Sequence, residues 1–254
     1  MTAYTAAQQA AIECIEAPLQ IIACAGSGKT QVISQRIANL LASGRAEPRS
    51  IVAFTFTEKA AGELKDRVLH LVEASGASTV GLAEMFIGTM HAFCLALLQR
   101  HVPETFKFRV LTDITARMLV DRYSKQSGLT NCPTTAAIGH LRRFTESKLY
   151  LNVLGILRED DVDERLVPPE VLQSFASYTT LLRDRAYFDY TAMILLAVEM
   201  LEEGPDDPSD VLAAAMRAHI RDDLRFLVVD EYQDVNPLQE RLIRALVQFG
   251  ANLC

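Results

Sequence analysis

The chain has 254 residues, of which 50% are hydrophobic, and carries a formal net charge of −7. That length accommodates one large domain or two modest ones with a sizeable core, and the composition excludes a disordered chain. The longest apolar stretches, Leu19 to Ala25 and Thr191 to Val198, are much shorter than the roughly 20 residues of a transmembrane helix. We therefore expect no membrane-spanning helix and no membrane partner.

Charge and cysteine usage bear on the compartment and the partner. The first residues, 1–9, lack the basic start and apolar run of a secretory signal, and the five scattered cysteines suit a reducing cytoplasm. The acidic net charge argues against DNA binding, because Lys and Arg make most phosphate contacts. However, residues 1–157 hold 16 Lys and Arg against 12 Asp and Glu, whereas residues 158–254 hold 9 against 20. The mildly basic first part removes that objection without proving a DNA site.

Four short aliphatic runs predict strands, and their near-continuous apolar character is typical of a parallel sheet covered on both faces. The predicted strands are Leu19–Cys24, Ser50–Phe54, Met85–Gly88 and Arg225–Asp230. Apolar residues at helical spacing predict helices after the first two strands, at Thr30–Ala42 and Glu58–Val72. The sequence therefore predicts an α/β fold built from strand–helix–strand units.

Between the third and fourth predicted strands the strand-like runs disappear. The segment from about 112 to 219 is predicted to form several helices, broken at Gly128, Pro133, Pro168–Pro169 and Gly204–Pro205. We interpret it as a helical insertion into the sheet domain. The predicted organisation is the first part of the sheet domain at 1–111, the insertion at 112–220, and the return of the sheet domain at 221–254.

A glycine-rich loop with the letters ACAGSGKT begins at Ala23, directly after the first predicted strand, and leads into the first long helix. Its glycines allow backbone N–H groups to surround phosphate, Lys29 can reach the β- and γ-phosphates, and Thr30 can bind Mg²⁺. The predicted nucleotide-binding residues here are Ala25, Gly26, Ser27, Gly28, Lys29 and Thr30. A plain helix start is the alternative, but the flanking strand and helix favour a P-loop NTPase.

Asp230 and Glu231 follow the fourth predicted strand, where a parallel sheet would present them to the phosphate loop. We predict that Asp230 holds Mg²⁺ and that Glu231 orients and deprotonates the attacking water. A helix cap is the alternative. The guanine-reading pattern Asn-Lys-x-Asp does not occur, so ATP is the expected nucleotide. Cys and His do not cluster at zinc-ligand spacing, and no Lys follows Lys148 to complete a nuclease site with Pro205–Asp206.

Five motifs together resemble the UvrD/Rep family of superfamily 1 helicases, in that family's order and spacing. They are YTAAQ from Tyr4, AGSGKT from Ala25, FTFTEKAA from Phe54, GTMHAF from Gly88 and DEYQD from Asp230. The resemblance implies that Gln8 contacts adenine and that Gln233 belongs to the catalytic set with Lys29, Asp230 and Glu231. It also implies that the third and fourth motifs bind single-stranded DNA, through Thr55, Phe56, Thr57, Lys59, Thr89 and His91.

The chemistry of these residues agrees with such a DNA site. An aromatic ring at a strand end can stack on any base, and hydroxyl, ammonium and imidazole groups can contact phosphate. Ordinary core positions are the alternative for the aromatic residues and for His91. We favour a DNA role for Phe56 and His91 and a core position for Phe93. The segment Tyr187–Tyr190 is similar to the one that closes the family's helical subdomain 1B, and we expect a structural role for it.

The resemblance implies a RecA-like ATPase subdomain with a helical insertion, part of a motor that uses ATP and Mg²⁺ to move 3′ to 5′ along single-stranded DNA. It also implies a second RecA-like motor domain as a partner, which would supply arginines, so we expect the chain alone to bind ATP but to hydrolyse it barely above background. A nuclease or repair protein is a further candidate partner. The alternative function is a non-hydrolysing module that uses ATP as a switch for binding DNA or a partner.

Overall fold

The computed structural model describes residues 4–24, 26–134, 139–160, 162–202 and 211–254. The chain divides into two compact units. The first comprises Met1–Phe93, Met200–Val235 and Ile243–Cys254, and the second comprises Cys94–Glu199 and Asn236–Leu242. Within the described ranges, no helix is long and apolar enough to cross a membrane. The three-part division predicted from the sequence stays a prediction.

The described residues form short strands and mostly longer helices. The strands are β1 (Ile51–Phe54), β2 (Phe86–Gly88), β3 (Arg109–Val110), β4 (Tyr187–Phe188), β5 (Phe226–Val229) and β6 (Asn252–Leu253). The helices are α1 (Ala6–Glu13), α2 (Lys29–Ala42), α3 (Glu58–Ala74), α4 (Met90–His101), α5 (Asp113–Arg122), α6 (Ser147–Glu159), α7 (Pro169–Asp184), α8 (Tyr190–Glu202), α9 (Val211–Asp223) and α10 (Pro237–Val247). Single 3₁₀ turns lie at Pro48–Ser50, Leu82–Glu84, Pro103–Lys107, Leu129–Asn131, Glu164–Leu166 and Tyr232–Asp234.

The first unit is built on a parallel sheet with the strand order β2-β1-β5-β6. In the register of this sheet, Val52 lies opposite Phe86 on one side and Leu227 on the other. All residues of β1 are buried, as expected for a central strand covered on both faces. This confirms three of the predicted strands and the α/β class. Because the strands are parallel, β1 and β5 end at the same edge of the sheet.

The predicted strand at Leu19–Cys24 was wrong: the structure describes no strand there. Leu19 N–H donates to the carbonyl oxygen of Leu253 at 2.9 Å, so the segment starts beside β6. β6, however, is only two residues long. A six-residue strand needs a partner of similar length, and Ile22 instead has 87% of its surface exposed. The remaining segment is therefore irregular up to the phosphate loop.

The helices α2 and α3 form as their apolar spacing predicts. Ile33, Ile37 and Leu40 of α2 are buried, as are Leu64 and Val68 of α3. Both helices contribute to one core with β1, β2 and β5. This packing fixes the start of each helix at the carboxyl edge of the sheet.

The second unit is mainly helical, and its short parallel pair is formed by β3 and β4. Its core includes the buried Tyr150 and Tyr178. Asp189, 9% exposed, accepts hydrogen bonds from Arg158 Nη1 and from Tyr178 Oη, each at 2.9 Å. These bonds support the structural role expected for the segment around Asp189.

One predicted break in the second unit has a clear steric cause. Gly128 has a φ of 81°, and an added Cβ would lie 2.6 Å from Ser174 Cα, so only glycine fits without movement. The predicted break at Gly204–Pro205, and the Pro205–Asp206 pair, lie outside the described residues.

Candidate nucleotide site and DNA-binding face

The phosphate loop has the backbone that its glycines predict. Gly26 and Gly28 have φ values of 77° and 86°, and Gly28 caps the start of α2. Such left-handed conformations suit glycine, whereas a side chain would be strained. The backbone N–H groups at Lys29 and Thr30 begin α2 and have no acceptor within the helix, so they can bind an anion. Ala25, also predicted to bind nucleotide, lies outside the described residues.

Two predicted catalytic side chains meet across the sheet edge. Lys29 Nζ lies 3.3 Å from Glu231 Oε2, although the residues are 202 positions apart in sequence. Gln233 Nε2 also donates to Glu231 Oε2. These two hydrogen bonds, first from Gln233 and then from Lys29, lower the pKa of the Glu231 carboxyl. Glu231 is therefore held as a carboxylate beside the lysine of the phosphate loop.

The backbone at Glu231 is unusual. Its φ is 54° and its ψ is 46°, a left-handed conformation that non-glycine residues seldom adopt. This turn directly follows β5 and precedes the 3₁₀ turn Tyr232–Asp234. Strained backbone of this kind is found preferentially at functional sites, because the surrounding structure must hold it in place.

Asp230 is fixed at the same edge by two hydrogen bonds. Its N–H donates to the carbonyl oxygen of Phe54, and its Oδ1 accepts from the N–H of Glu231, each at 3.0 Å. Burial, and then the charge of Glu231, raise the pKa of Asp230. A cation beside this carboxylate would offset both effects.

The residues predicted to hold Mg²⁺ have suitable chemistry. Asp230 offers a carboxylate and Thr30 a hydroxyl, the hard oxygen ligands that Mg²⁺ prefers. Among the described residues no group of three or more His, Cys, Asp or Glu could hold a metal.

Gln8 connects the first helix to the phosphate loop. Its Oε1 accepts from Thr5 N–H at 2.9 Å, and its Nε2 donates to the Ser27 carbonyl oxygen at 3.0 Å. A carboxamide has two lone pairs and two N–H donors, so the contacts of Gln8 with described residues leave one acceptor site and one donor. This is the pair of groups that recognition of an adenine edge requires.

Two cavities surround the phosphate loop within the first unit. One, of about 720 Å³, is lined by residues that include Lys29, Asp230 and Glu231. The other, of about 710 Å³, is lined by residues that include Gln8, Ser27 and, again, Lys29. Both volumes lie in the range of small-molecule sites. One cavity therefore has the groups for phosphate and metal, and the other has the groups for a base.

The predicted DNA-binding residues that are most accessible follow β1. Phe56 has 64% of its surface exposed, so a position in the core is excluded. The Lys59 side chain is 89% exposed, and its Nζ lies 3.9 Å from Glu63 Oε1. Thr57 caps α3 by accepting the N–H of Ala60 at 3.1 Å. An exposed ring three residues before an exposed ammonium group offers suitable chemistry for a nucleic-acid strand.

The other predicted DNA-binding residues are more enclosed. Thr55 is 5% exposed and its hydroxyl donates to the Thr57 carbonyl oxygen at 3.1 Å, so it shapes the turn before α3. Thr89 Oγ1 donates to Glu58 Oε1 at 3.0 Å and accepts the N–H of Ala92 at 3.3 Å. His91 is half-buried. Their DNA contacts stay predictions.

Phe93 lies in the core, which confirms its interpretation. It is 7% exposed and packs edge-on against Phe54 and Phe86, with ring centroids 5.3 and 5.1 Å away. Sequence reasoning overlooked Glu58, whose carboxylate accepts a hydrogen bond from the Thr89 hydroxyl. The available signal was a charged residue immediately after the cap of α3, within the segment predicted to bind DNA.

The parallel sheet, the glycine loop that opens α2, and the acidic pair after β5 together define a P-loop NTPase domain. The chain matches the family described as UvrD/REP helicase N-terminal domain over residues 4–254, and it belongs to that family. This finding confirms the resemblance seen in the motifs.

Curated relatives support the same family. The chain is 27% identical over 256 residues to an ATP-dependent DNA helicase PcrA of Bacillus subtilis, covering 97% of this chain and 31% of the relative. It is 28% identical over 260 residues to the PcrA helicase of Staphylococcus epidermidis, covering 97% of this chain and 32% of the relative. It is 28% identical over 252 residues to the PcrA helicase of Leuconostoc citreum, and this match covers 97% of this chain and 31% of the relative. The chain thus spans about a third of the length of these relatives.

Proposed function

We propose that this chain forms the ATP-binding part of a motor that hydrolyses Mg·ATP to move 3′ to 5′ along single-stranded DNA. The observation that supports this most strongly is the 3.3 Å pair between Lys29 Nζ and Glu231 Oε2. It brings together the expected phosphate ligand and the expected general base, beside Asp230 at the sheet edge. The direction of movement rests on the family alone.

The residues around the loop suggest how ATP would be held. Backbone N–H groups of the loop and of the first turn of α2 would surround the phosphates, and Lys29 would bind the β- and γ-phosphates. Gln8 would use its remaining donor and acceptor on adenine. Thr30 and Asp230 would hold Mg²⁺, which when bound supplies charge neutralisation at the phosphate oxygens.

The ion pair suggests a role for Glu231 that depends on nucleotide. Phosphate oxygens carry more charge than one carboxylate, so ATP would attract Lys29 away from Glu231. Glu231, still bonded to Gln233, would then be available to orient water and accept its proton. In this proposal Lys29 restrains the general base until nucleotide binds.

The DNA-binding part of the proposal is supported by the exposed Phe56 and Lys59. Phe56 would stack on bases of any identity, while Lys59 and the hydroxyls of Thr57 and Thr89 would contact phosphates. A grip that tolerates all sequences is what translocation requires. Glu58 would have to release Thr89 before its hydroxyl could donate to DNA.

The proposed partners follow from the family and from the chain's share of its relatives' length. We propose that a second RecA-like domain supplies cationic groups for the transition state, and that a nuclease or repair protein directs the motor to its DNA. All five cysteines are free thiols, which agrees with the reducing cytoplasm that we propose as its location.

A comparison of Glu231→Gln with the exposed-site control Glu73→Gln tests the proposal. Binding of a fluorescent ATP analogue, ATP turnover and affinity for oligo-dT would be measured with and without Mg²⁺, in a protein that joins this chain to the rest of the length found in its PcrA relatives. We expect both variants to bind nucleotide and only Glu231→Gln to lose turnover. DNA affinity that changes with ATP in the absence of any turnover, in the wild type as well, would favour the non-hydrolysing switch. Absence of nucleotide binding in the wild type would refute both.

A further inference from the structure

The helix that carries Gln8 has little apolar anchoring of its own. α1 has eight residues, and its one buried residue is Ile12, at 1% exposure. A helix this short is marginal in isolation, so tertiary contacts must decide its position. Gln8 reaches Ser27 through one hydrogen bond of 3.0 Å, which a shift of about an ångström would break.

A buried arginine anchors the other end of this helix. Arg36 lies on α2 and is 1% exposed, as buried as its apolar helix neighbours Ile33 and Ile37. Its Nη1 donates to the carbonyl oxygen of Ala11 at 3.1 Å and to that of Cys14. Both carbonyls lie at the carboxyl end of α1, where helix geometry leaves acceptors without partners and a cation is favoured.

The same guanidinium also reaches the sheet. Arg36 Nη2 lies 3.5 Å from Asn252 Oδ1 on β6, and Asn252 Nδ2 donates to the Ile15 carbonyl oxygen at 3.3 Å. β6 pairs with β5, which ends at the acidic pair. Arg36, which lies on α2, thus connects that helix to α1 and to β6.

We propose that Arg36 is a positioning residue for base recognition: it holds α1 so that the Gln8 carboxamide keeps its place against the phosphate loop. This inference rests on the proposed ATP site. Gln8 and Ala11 are three residues apart, about 4.5 Å along the helix axis, so a movement at the Arg36 anchor reaches Gln8 almost undiminished.

The conformation of the phosphate loop should depend on Arg36 much less than the position of Gln8 does. Arg36 lies seven residues beyond Lys29, about 10 Å along α2, and its hydrogen bonds within the described part of the chain go to the end of α1 and to β6. The glycine conformations and the first turn of α2 hold most of the loop, and the contact from α1 described above is the single hydrogen bond from Gln8 to the Ser27 carbonyl oxygen. Loss of Arg36 should therefore weaken recognition of the base and spare recognition of phosphate.

The test compares two ligands of the same protein: ATP, which has a base, and inorganic tripolyphosphate, which has none, each with Mg²⁺. Their affinities would be measured by competition against a fluorescent ATP analogue for the wild type, Arg36→Lys, Gln8→Ala and the double variant that combines the two. Arg36→Lys keeps the charge but loses the forked donors. The matched control is Arg217→Lys, since Arg217 is 4% exposed and donates to the Met200 carbonyl oxygen at 2.9 Å in the same unit.

We expect Arg36→Lys to lose about ten-fold in ATP affinity, as when one or two hydrogen bonds fail, with tripolyphosphate affinity changed less than about two-fold. Gln8→Ala should show the same selectivity, and the double variant should bind ATP no more than about two-fold more weakly than Gln8→Ala alone. Arg217→Lys should leave the ratio of the two affinities unchanged.

Equal losses for both ligands, an unchanged ATP affinity, or the same selective loss in Arg217→Lys would each overturn the inference. If Arg36→Lys fails to fold, Ile12→Val decides instead, because it loosens α1 from its apolar anchor without removing the guanidinium. That variant should lose less ATP affinity than Arg36→Lys, and again more ATP affinity than tripolyphosphate affinity. Equal losses for the two ligands would overturn the inference. A wild type that binds neither ligand would refute the ATP site itself, and this inference with it.

Discussion

Replacing Phe56 with alanine separates a DNA contact from a structural role. The ring is 64% exposed, so little of its surface contributes to folding. Complete burial of a Phe side chain contributes about 1.5–3 kcal/mol, so the largely exposed Phe56 should contribute below about 1 kcal/mol to the free energy of unfolding. Stacking on a base, in contrast, is worth about 1–3 kcal/mol per aromatic residue. The variant should therefore lose DNA affinity and retain stability.

The assay is fluorescence anisotropy with labelled oligo-dT and mixed-sequence oligonucleotides, together with thermal unfolding. The expected loss corresponds to roughly a 5- to 150-fold rise in Kd, similar for both oligonucleotides because stacking tolerates any base. Phe93→Ala provides the contrast, since Phe93 is 7% exposed and packs among other rings. It should cost about 3–5 kcal/mol of stability.

Two results would refute the reasoning. Unchanged DNA affinity in a folded Phe56→Ala protein would show that the exposed ring is not a stacking platform. A large fall in the melting temperature, similar to that of Phe93→Ala, would show that Phe56 supports the fold after all.

Three further predictions concern the nucleotide site. Lys29→Ala should weaken ATP binding by roughly 10- to 100-fold, because charge-assisted hydrogen bonds to phosphate are lost, and equilibrium dialysis with intact affinity would contradict the role. In a protein that joins this chain to the rest of its relatives' length, Glu231→Gln should spare Mg·ATP binding but reduce turnover by about 10²- to 10⁴-fold, so turnover at the wild-type rate would exclude a general base here. Gly28→Val should weaken binding of ATP and tripolyphosphate alike, because a β-branched residue is strained at a φ of 86°. Calorimetric titration that finds both affinities unchanged would show that the loop tolerates another conformation.

The sheet could be predicted where the signal was local. Continuous apolar runs identified β1, β2 and β5, because strands covered on both faces bury every side chain. The same rule failed at Leu19–Cys24, since a strand also needs backbone partners and the run itself carries no information about them. β6 was missed for the opposite reason: two residues, one of them a polar Asn, give no periodic signal.

The candidate site was predictable to the extent that topology determines it. β5 ends at the carboxyl edge of the sheet, where the packing of α2 places the start of that helix, so Lys29 and Glu231 could be expected to meet. The left-handed backbone of Glu231 and the hydrogen bond from Thr89 to Glu58 could not be expected, because each depends on side chains and turns that no sequence period encodes. Arg36 was hidden for a related reason, since a charge on an apolar helix face has no visible partner until the fold brings α1 beside it.

The most direct test of the central claim is the rate of ATP hydrolysis, with and without single-stranded DNA, by a protein that joins this chain to the rest of the length found in its PcrA relatives. The claim predicts that DNA stimulates turnover in the wild type and that Lys29→Ala abolishes it. A turnover rate that single-stranded DNA does not change, or that persists in Lys29→Ala, would contradict the claim that this chain carries the ATP site of a DNA motor.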